Sequence, residues 1–66
     1  MLNKDNERLA AFEQLYADLR EEQRKTIAAL ELLRAEKKEK TVRFRELLGQ
    51  KLMQAQQLAL FERYGL

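Results

Sequence analysis

The sequence has no Cys, His, Ser, Pro or Trp, and it contains only two Gly. Without Ser, Cys and His it cannot form the usual nucleophilic triads or dyads, and it has no His general base. The same gap removes the ordinary ligands of a zinc site, and no Gly-rich loop is present to hold a phosphate group. We therefore predict that the protein is not an enzyme and that it uses no metal and no cofactor.

The missing Cys residues also mean that no disulfide can hold the fold together, so packing must do so. The chain is 45% apolar and 36% charged, a balance that is typical of long helices when Gly and Pro are so scarce. Its 66 residues allow one domain, and a chain of this size hides only about 60% of its unfolded surface. The composition therefore predicts an all-α fold and favours self-association.

Long apolar runs are missing as well. The segment Met1–Leu9 does not combine a charged start with an apolar core, so it lacks the pattern of a secretory signal. No segment is apolar over the length that a bilayer-spanning helix needs. We expect a cytoplasmic protein that has no membrane partner.

A first helix is predicted at about residues 5–36, with Asn3, Asp5 and Asn6 as candidate N-caps. Its large apolar residues fall on one side when the chain turns by about 100° per residue. This stripe comprises Leu2, Leu9, Phe12, Leu15, Tyr16, Leu19, Ile27, Leu30 and Leu33. Gln23 and Thr26 interrupt it, either as ordinary polar positions, which we favour, or as residues that fix the register of a coiled coil.

A second helix is predicted at about residues 42–64, and it is apolar on two sides. One stripe contains Phe44, Leu47, Leu48, Leu52, Ala55, Leu58, Ala59 and Leu66, with Lys51 and Glu62 inside it. The other contains Val42, Met53, Leu60 and Tyr64. A surface helix needs only one apolar face, so this helix either sits between neighbours or offers a face to a partner. Gly65 is placed to close the helix in the left-handed conformation, with Leu66 packing back on Phe61.

The charged stretch Arg34–Arg45 separates the two helices, and the fold depends on whether the chain reverses there. A seven-residue frame drawn through the first stripe reaches Lys37 and Lys40, which are poor core residues. The first stripe of the second helix is out of phase with that frame. Both observations predict a reversal at about residues 37–41, with Thr41 as the N-cap of the second helix.

One feature argues against a reversal, because the stretch holds no Gly, Pro, Asn or Asp, the usual turn residues. The alternative is a continuous helix of roughly 100 Å in a parallel coiled coil. We favour a two-helix antiparallel hairpin. Since 13 Leu, three Phe and two Tyr exceed what one helix contact can cover, we expect two hairpins to pair into a four-helix bundle.

Basic residues cluster in the charged stretch. Residues 1–33 hold five basic and seven acidic side chains, whereas residues 34–66 hold eight basic and four acidic ones. The cluster comprises Arg34, Lys37, Lys38, Lys40, Arg43 and Arg45, and it is the candidate site for phosphate contacts with a nucleic acid. We favour the alternative that these residues only keep the turn solvated.

We predict a non-enzymatic protein that forms a homodimer and acts as an adaptor or small regulator, through helix contacts with itself or another helical protein. The predicted oligomer core comprises Leu9, Phe12, Tyr16, Leu19, Ile27, Leu30, Leu33, Phe44, Leu48, Leu52 and Leu58. The predicted partner-binding stripe is Val42, Met53, Leu60 and Tyr64. Two alternatives stay open: a small nucleic-acid-associated protein that uses the basic turn, and a structural coiled-coil spacer.

Overall fold

The computed structural model describes residues 2–65, and it describes the side chains of residues 4–65. Two helices, α1 (Leu2–Ala35) and α2 (Val42–Arg63), pack antiparallel in a particle of 54 × 17 × 15 Å. The residues described form no strand. The predicted all-α hairpin is confirmed, and the alternative of one continuous helix is wrong, since that helix would be about 100 Å long.

The first half of the turn closes α1 with a Schellman motif. The N–H of Lys38 donates to the carbonyl of Leu33 at 2.8 Å, and the N–H of Lys37 donates to that of Arg34 at 3.0 Å. Lys37 has a φ of 58°, the left-handed conformation that this motif requires. A lysine thus occupies the position where glycine is usual, which explains how the chain reverses without the common turn residues.

Thr41 starts α2, and its predicted role as the N-cap is confirmed. The Thr41 backbone is extended, with φ −83° and ψ 156°, and its Oγ1 accepts a hydrogen bond from the N–H of Phe44 at 3.2 Å. The same hydroxyl donates to the carbonyl of Lys38 at 2.7 Å. One side chain therefore satisfies a free N–H of α2 and fixes the second half of the turn.

A single seven-residue frame describes the contact between the helices. The inward residues of α1 are spaced alternately by three and four positions, as in coiled coils; they are Tyr16, Leu19, Gln23, Thr26, Leu30 and Leu33. Those of α2 continue the same frame; they are Phe44, Leu47, Lys51, Gln54, Leu58 and Phe61. The predicted change of phase after the turn is therefore wrong. Burial of the Phe44 and Phe61 rings together with Leu58 turns the Leu52 side of α2 outward.

The apolar part of this seam is concentrated at its two ends. Near the turn, Leu30, Phe44 and Leu47 are 2%, 8% and 4% exposed, and half-buried side chains surround them. At the open end, the ring of Phe61 lies 5.8 Å from that of Tyr16 and 6.4 Å from that of Phe12. The two helices are thus joined by an aliphatic cluster at one end and an aromatic cluster at the other.

The middle of the seam is polar. Thr26 is buried, and its hydroxyl donates to the carbonyl of Glu22 at 3.0 Å. Gln23, Lys51 and Gln54 are half-buried, and Gln54 Oε1 makes no hydrogen bond within the described part of the chain. Because apolar burial is the main source of packing energy, these positions contribute little to holding the helices together.

The helix ends differ in part from expectation. Helix α1 begins at Leu2, so the candidate caps Asn3, Asp5 and Asn6 lie inside the helix. Gly65 has the predicted left-handed conformation, with φ 86°, and its N–H donates to the carbonyl of Glu62 at 3.1 Å. The predicted contact of Leu66 lies outside the described residues.

Helix α1 is 12 residues longer than α2, since the two have 34 and 22 residues. The register pairs Tyr16 with Phe61, so α2 ends at about the level of residue 14 of α1. Roughly the first three turns of α1 therefore extend past α2 and have no partner helix in this hairpin.

Candidate functional site

Large apolar side chains on the surface are the main candidate for a functional site. Nine of them are 46–79% exposed, whereas four apolar residues are buried among the residues that the structure describes. The nine are Leu9, Phe12, Leu15, Leu32, Val42, Leu52, Met53, Leu60 and Tyr64. Two helices offer each other only one contact, so a second apolar face on either helix must stay open in a single hairpin.

The residues of the predicted oligomer core fall into three groups. Three are buried inside the hairpin, namely Leu30, Phe44 and Leu58. Five are half-buried along the seam, namely Tyr16, Leu19, Ile27, Leu33 and Leu48. Three are exposed, namely Leu9, Phe12 and Leu52. Most of this set is used within one chain, and the exposed members alone are available to another.

Leu47 is missing from that predicted set although it is 4% exposed. The signal that identifies it is the seven-residue frame, which reaches Leu47 when it is continued from Leu33 through Phe44. Its neighbour Leu48 contacts the same cluster from the side. The frame therefore distinguishes the inward residue Leu47 from its flanking neighbour Leu48, whereas a broad apolar stripe includes both.

The predicted partner-binding residues Val42, Met53, Leu60 and Tyr64 are all exposed. Each seven-residue repeat has two inward positions, and residues two positions after the first of them lie on one side of an antiparallel pair, whichever helix carries them. Leu32, Met53 and Leu60 follow this rule, after Leu30, Lys51 and Leu58 respectively. Together with two residues that precede positions of the seam frame, they form one surface, which we call the Met53 face; it comprises Leu15, Leu32, Met53, Leu60 and Tyr64. Val42 is not part of it, because it lies on the back of α2, two positions before Phe44.

The opposite side of the hairpin is less apolar at its surface. It carries Leu52, which is exposed, and Ile27 and Leu48, which are half-buried against the seam. The remaining apolar residues there are alanines, such as Ala55 and Ala59. Five of the nine exposed large apolar side chains thus belong to the Met53 face and one to the opposite face.

Two shallow apolar grooves lie on either side of Phe12 at the open end. The larger has a volume of about 330 Å³ and is lined by Phe12, Leu60, Phe61 and Tyr64. The smaller has a volume of about 180 Å³ and is lined by Arg8, Ala11, Phe12 and Leu15. Both open onto the Met53 face, and each is wide enough to accept an aliphatic side chain from another helix.

The basic turn at the other end of the hairpin is fully exposed apart from Phe44. Residues 34–45 hold six basic and two acidic side chains, a formal charge of +4. Two of the cations have a nearby carboxylate, since Lys38 Nζ is 3.8 Å from Glu36 and an Arg43 nitrogen is 3.9 Å from Glu46. The Arg34 guanidinium lies over the Phe44 ring at 5.5 Å. The first turn of α2 contains no acidic residue.

No three acidic, His or Cys side chains gather where they could hold a metal ion, within the part of the chain that the structure describes. Glu21 pairs with Arg24, and Glu22 lies 3.7 Å from Lys25. These carboxylates form exposed ion pairs on one helix, the arrangement of an ordinary solvated surface.

Neither helix has a stretch apolar enough to cross a bilayer, judged over residues 2–65. No protein-family model matches the chain, and no curated protein or solved structure matches it.

Proposed function

We propose that this chain is a non-enzymatic association module. Two hairpins pair into a four-helix bundle, which acts as an adaptor or small regulator through helix contacts in the cytoplasm. The observation that supports this is the exposure of nine large apolar side chains on a 66-residue chain. Full burial of a large apolar side chain is worth about 1.5–3 kcal/mol, of which these partly exposed residues forgo roughly half or more, and surfaces of this kind are typical of interaction sites.

The weakness of the single hairpin supports the same proposal. Its apolar seam is interrupted by four polar positions, and no side chain is less than 2% exposed among the described residues. Small domains with so little core are often stabilised by oligomerisation. A partner that binds only the folded hairpin raises its stability by mass action.

The test is sedimentation equilibrium together with thermal melting followed by circular dichroism, over a roughly hundredfold range of protein concentration. We expect a mass of twice 7.9 kDa and a melting temperature that rises with concentration. A mass of 7.9 kDa at the highest concentration, with a melting temperature independent of concentration, would contradict the proposal.

A second candidate function is binding to nucleic acid through the basic turn. The observation that favours it is the +4 charge of residues 34–45 on a chain whose total charge is +2. Such a cluster binds phosphates without reading sequence, and its affinity falls as salt rises. Lys37, Lys40 and Arg45 have no carboxylate partner within the described residues, so their charges remain available.

This candidate is tested by titrating a random DNA duplex at low and high salt. If it holds, Glu at Lys37, Lys38, Lys40 and Arg43 abolishes binding. The matched control places Glu at four basic residues outside the turn, namely Lys4, Arg20, Arg24 and Arg63, which changes the net charge equally. Equal loss of binding in both variants would show a general charge effect, and no binding at low salt would remove the candidate.

A further inference from the structure

The Met53 face has complementary features at its two ends. The grooves beside Phe12 lie at the open end, and Leu32, which is 62% exposed, projects near the turn. Leu32 and Phe12 are separated by 20 residues of α1, or about 30 Å. The register places Met53 at the level of residue 24 of α1, close to the midpoint between them. A two-fold axis near Met53, perpendicular to the long axis of the hairpin, would place Leu32 of each copy on the grooves of the other.

The charge of the hairpin is distributed along the same axis. The turn, residues 34–45, carries +4, whereas residues 1–22 hold three basic and six acidic side chains, a formal charge of −3. The turn lies at one end of the 54 Å particle, whereas the net negative charge comes from residues 13–22, in the half of α1 that is remote from the turn. Parallel pairing of two hairpins would place the two +4 turns together. Antiparallel pairing places each turn beside the acidic half of the other copy, so the charges favour the antiparallel arrangement.

From these features we infer that the Met53 face is the surface on which a second copy of the chain docks, antiparallel and about a two-fold axis near Met53. The inference rests on the proposed self-association and adds its surface and its orientation. In this arrangement Leu32 of each copy enters the grooves beside Phe12 of the other. Asp18 and Lys25 also lie two positions after the first inward residue of a repeat. Asp18 of each copy therefore faces Lys25 of the other across the axis, and the two side chains carry opposite charges.

The dimensions of the hairpin agree with such an interface. A stable dimer of ordinary size buries about 800 Å² on each partner. The broad side of the hairpin measures 54 by 17 Å, which supplies that area when nearly the whole side is covered. Five exposed apolar side chains at its centre and ends provide the apolar interior that homodimer interfaces need.

The surface is tested with single cysteines, because the natural chain has none. Met53→Cys and Leu52→Cys are a matched pair, since the two residues are adjacent in sequence, 56% and 61% exposed, and on opposite faces. We expect mild oxidation to cross-link Met53→Cys into a covalent dimer and to leave Leu52→Cys monomeric on a denaturing gel. The reverse pattern, with the uncross-linked protein still dimeric, would overturn the inference and preserve self-association.

The orientation is tested with Leu32→Cys and Leu15→Cys. In the antiparallel dimer two Leu32 positions lie about 28 Å apart along the helix axis, so a short bismaleimide cannot join them. An equimolar mixture of the two variants should give cross-linked heterodimers, whereas Leu32→Cys alone should give none. Cross-linking of Leu32→Cys alone would show parallel pairing and overturn the orientation.

Sedimentation of each variant before cross-linking tests self-association separately from the choice of docking surface. All four substitutions are at exposed or nearly half-exposed positions, and circular dichroism checks that the helices are retained. A monomeric wild-type protein would overturn both this inference and the proposed self-association, and it would leave the Met53 face to a partner of different sequence.

Discussion

Lys37 adopts a backbone conformation that costs free energy for any residue with a Cβ atom. Its φ of 58° is fixed by the two hydrogen bonds that close α1. Lys37→Gly should therefore raise the free energy of unfolding, by about 0.5–1 kcal/mol. Urea denaturation followed by circular dichroism measures the change. Lys38→Gly is the control, because Lys38 does not have positive φ and should gain nothing; equal gains would contradict the argument.

Thr41 joins the turn to α2 through one hydroxyl group. Thr41→Ala removes the acceptor for the N–H of Phe44 and the donor to the carbonyl of Lys38. We expect a loss of about 1 kcal/mol in the free energy of unfolding. Thr41→Ser keeps the hydroxyl and should lose much less, by the same denaturation measurement. A similar loss in both variants would show that the methyl group, and not the cap, matters.

Gly49 lies in the interior of α2 and faces solvent. A Cβ atom added there would meet no other atom within 4 Å, so no close backbone approach requires glycine at this position. Gly49→Ala should stabilise the protein by about 1 kcal/mol, because glycine is a poor helix former. A lower melting temperature for this variant would show that the surface around Gly49 is covered in the assembled protein.

At the scale of the helices, the sequence predicts the hairpin fold better than it predicts which side of α2 packs against α1. The charged stretch and Thr41 are sufficient to place the reversal. The inward side of α2 is harder to predict, because Leu58 belongs to two possible stripes and only the seven-residue frame includes both Phe44 and Phe61. Lys37 shows a further limit, since its left-handed conformation is fixed by the hydrogen bonds that close α1 and not by its residue type.

The polar middle of the seam leads to a prediction about Gln54. Its Oε1 is buried and makes no hydrogen bond within the described residues. A buried acceptor without a partner costs about 1–3 kcal/mol, so Gln54→Met, which keeps the length of the side chain, should raise the free energy of unfolding. Gln56→Met is the matched control, because Gln56 is exposed on the same helix and lies outside both the seam and the Met53 face. No difference between the two variants would show that water satisfies Gln54.

At the scale of the whole molecule, exposure distinguishes residues that the sequence treats alike. The apolar pattern assigns Leu30 and Leu52 to one oligomer core, but Leu30 is 2% exposed and Leu52 is 61% exposed. A sequence cannot separate contacts within a chain from contacts between chains, because both require the same apolar residues at the same helical spacing. The stripe of Met53, Leu60 and Tyr64 is predictable, since it lies away from the seven-residue frame. Its continuation onto α1 through Leu15 and Leu32 depends on the register of the hairpin.

The salt dependence of dimerisation follows from the charge at the two ends of the hairpin. Between about 0.1 and 1 M ionic strength the screening length falls from about 10 to 3 Å. If the +4 turn lies at the net-acidic half of the other copy, the dimer dissociation constant measured by sedimentation should rise. Parallel pairing would place like charges together and would make the constant fall. The control carries Glu at Lys37 and Lys40, which reduces the formal charge of the turn to zero. Its dimerisation should depend little on salt, and an unchanged dependence would locate the electrostatic contact elsewhere.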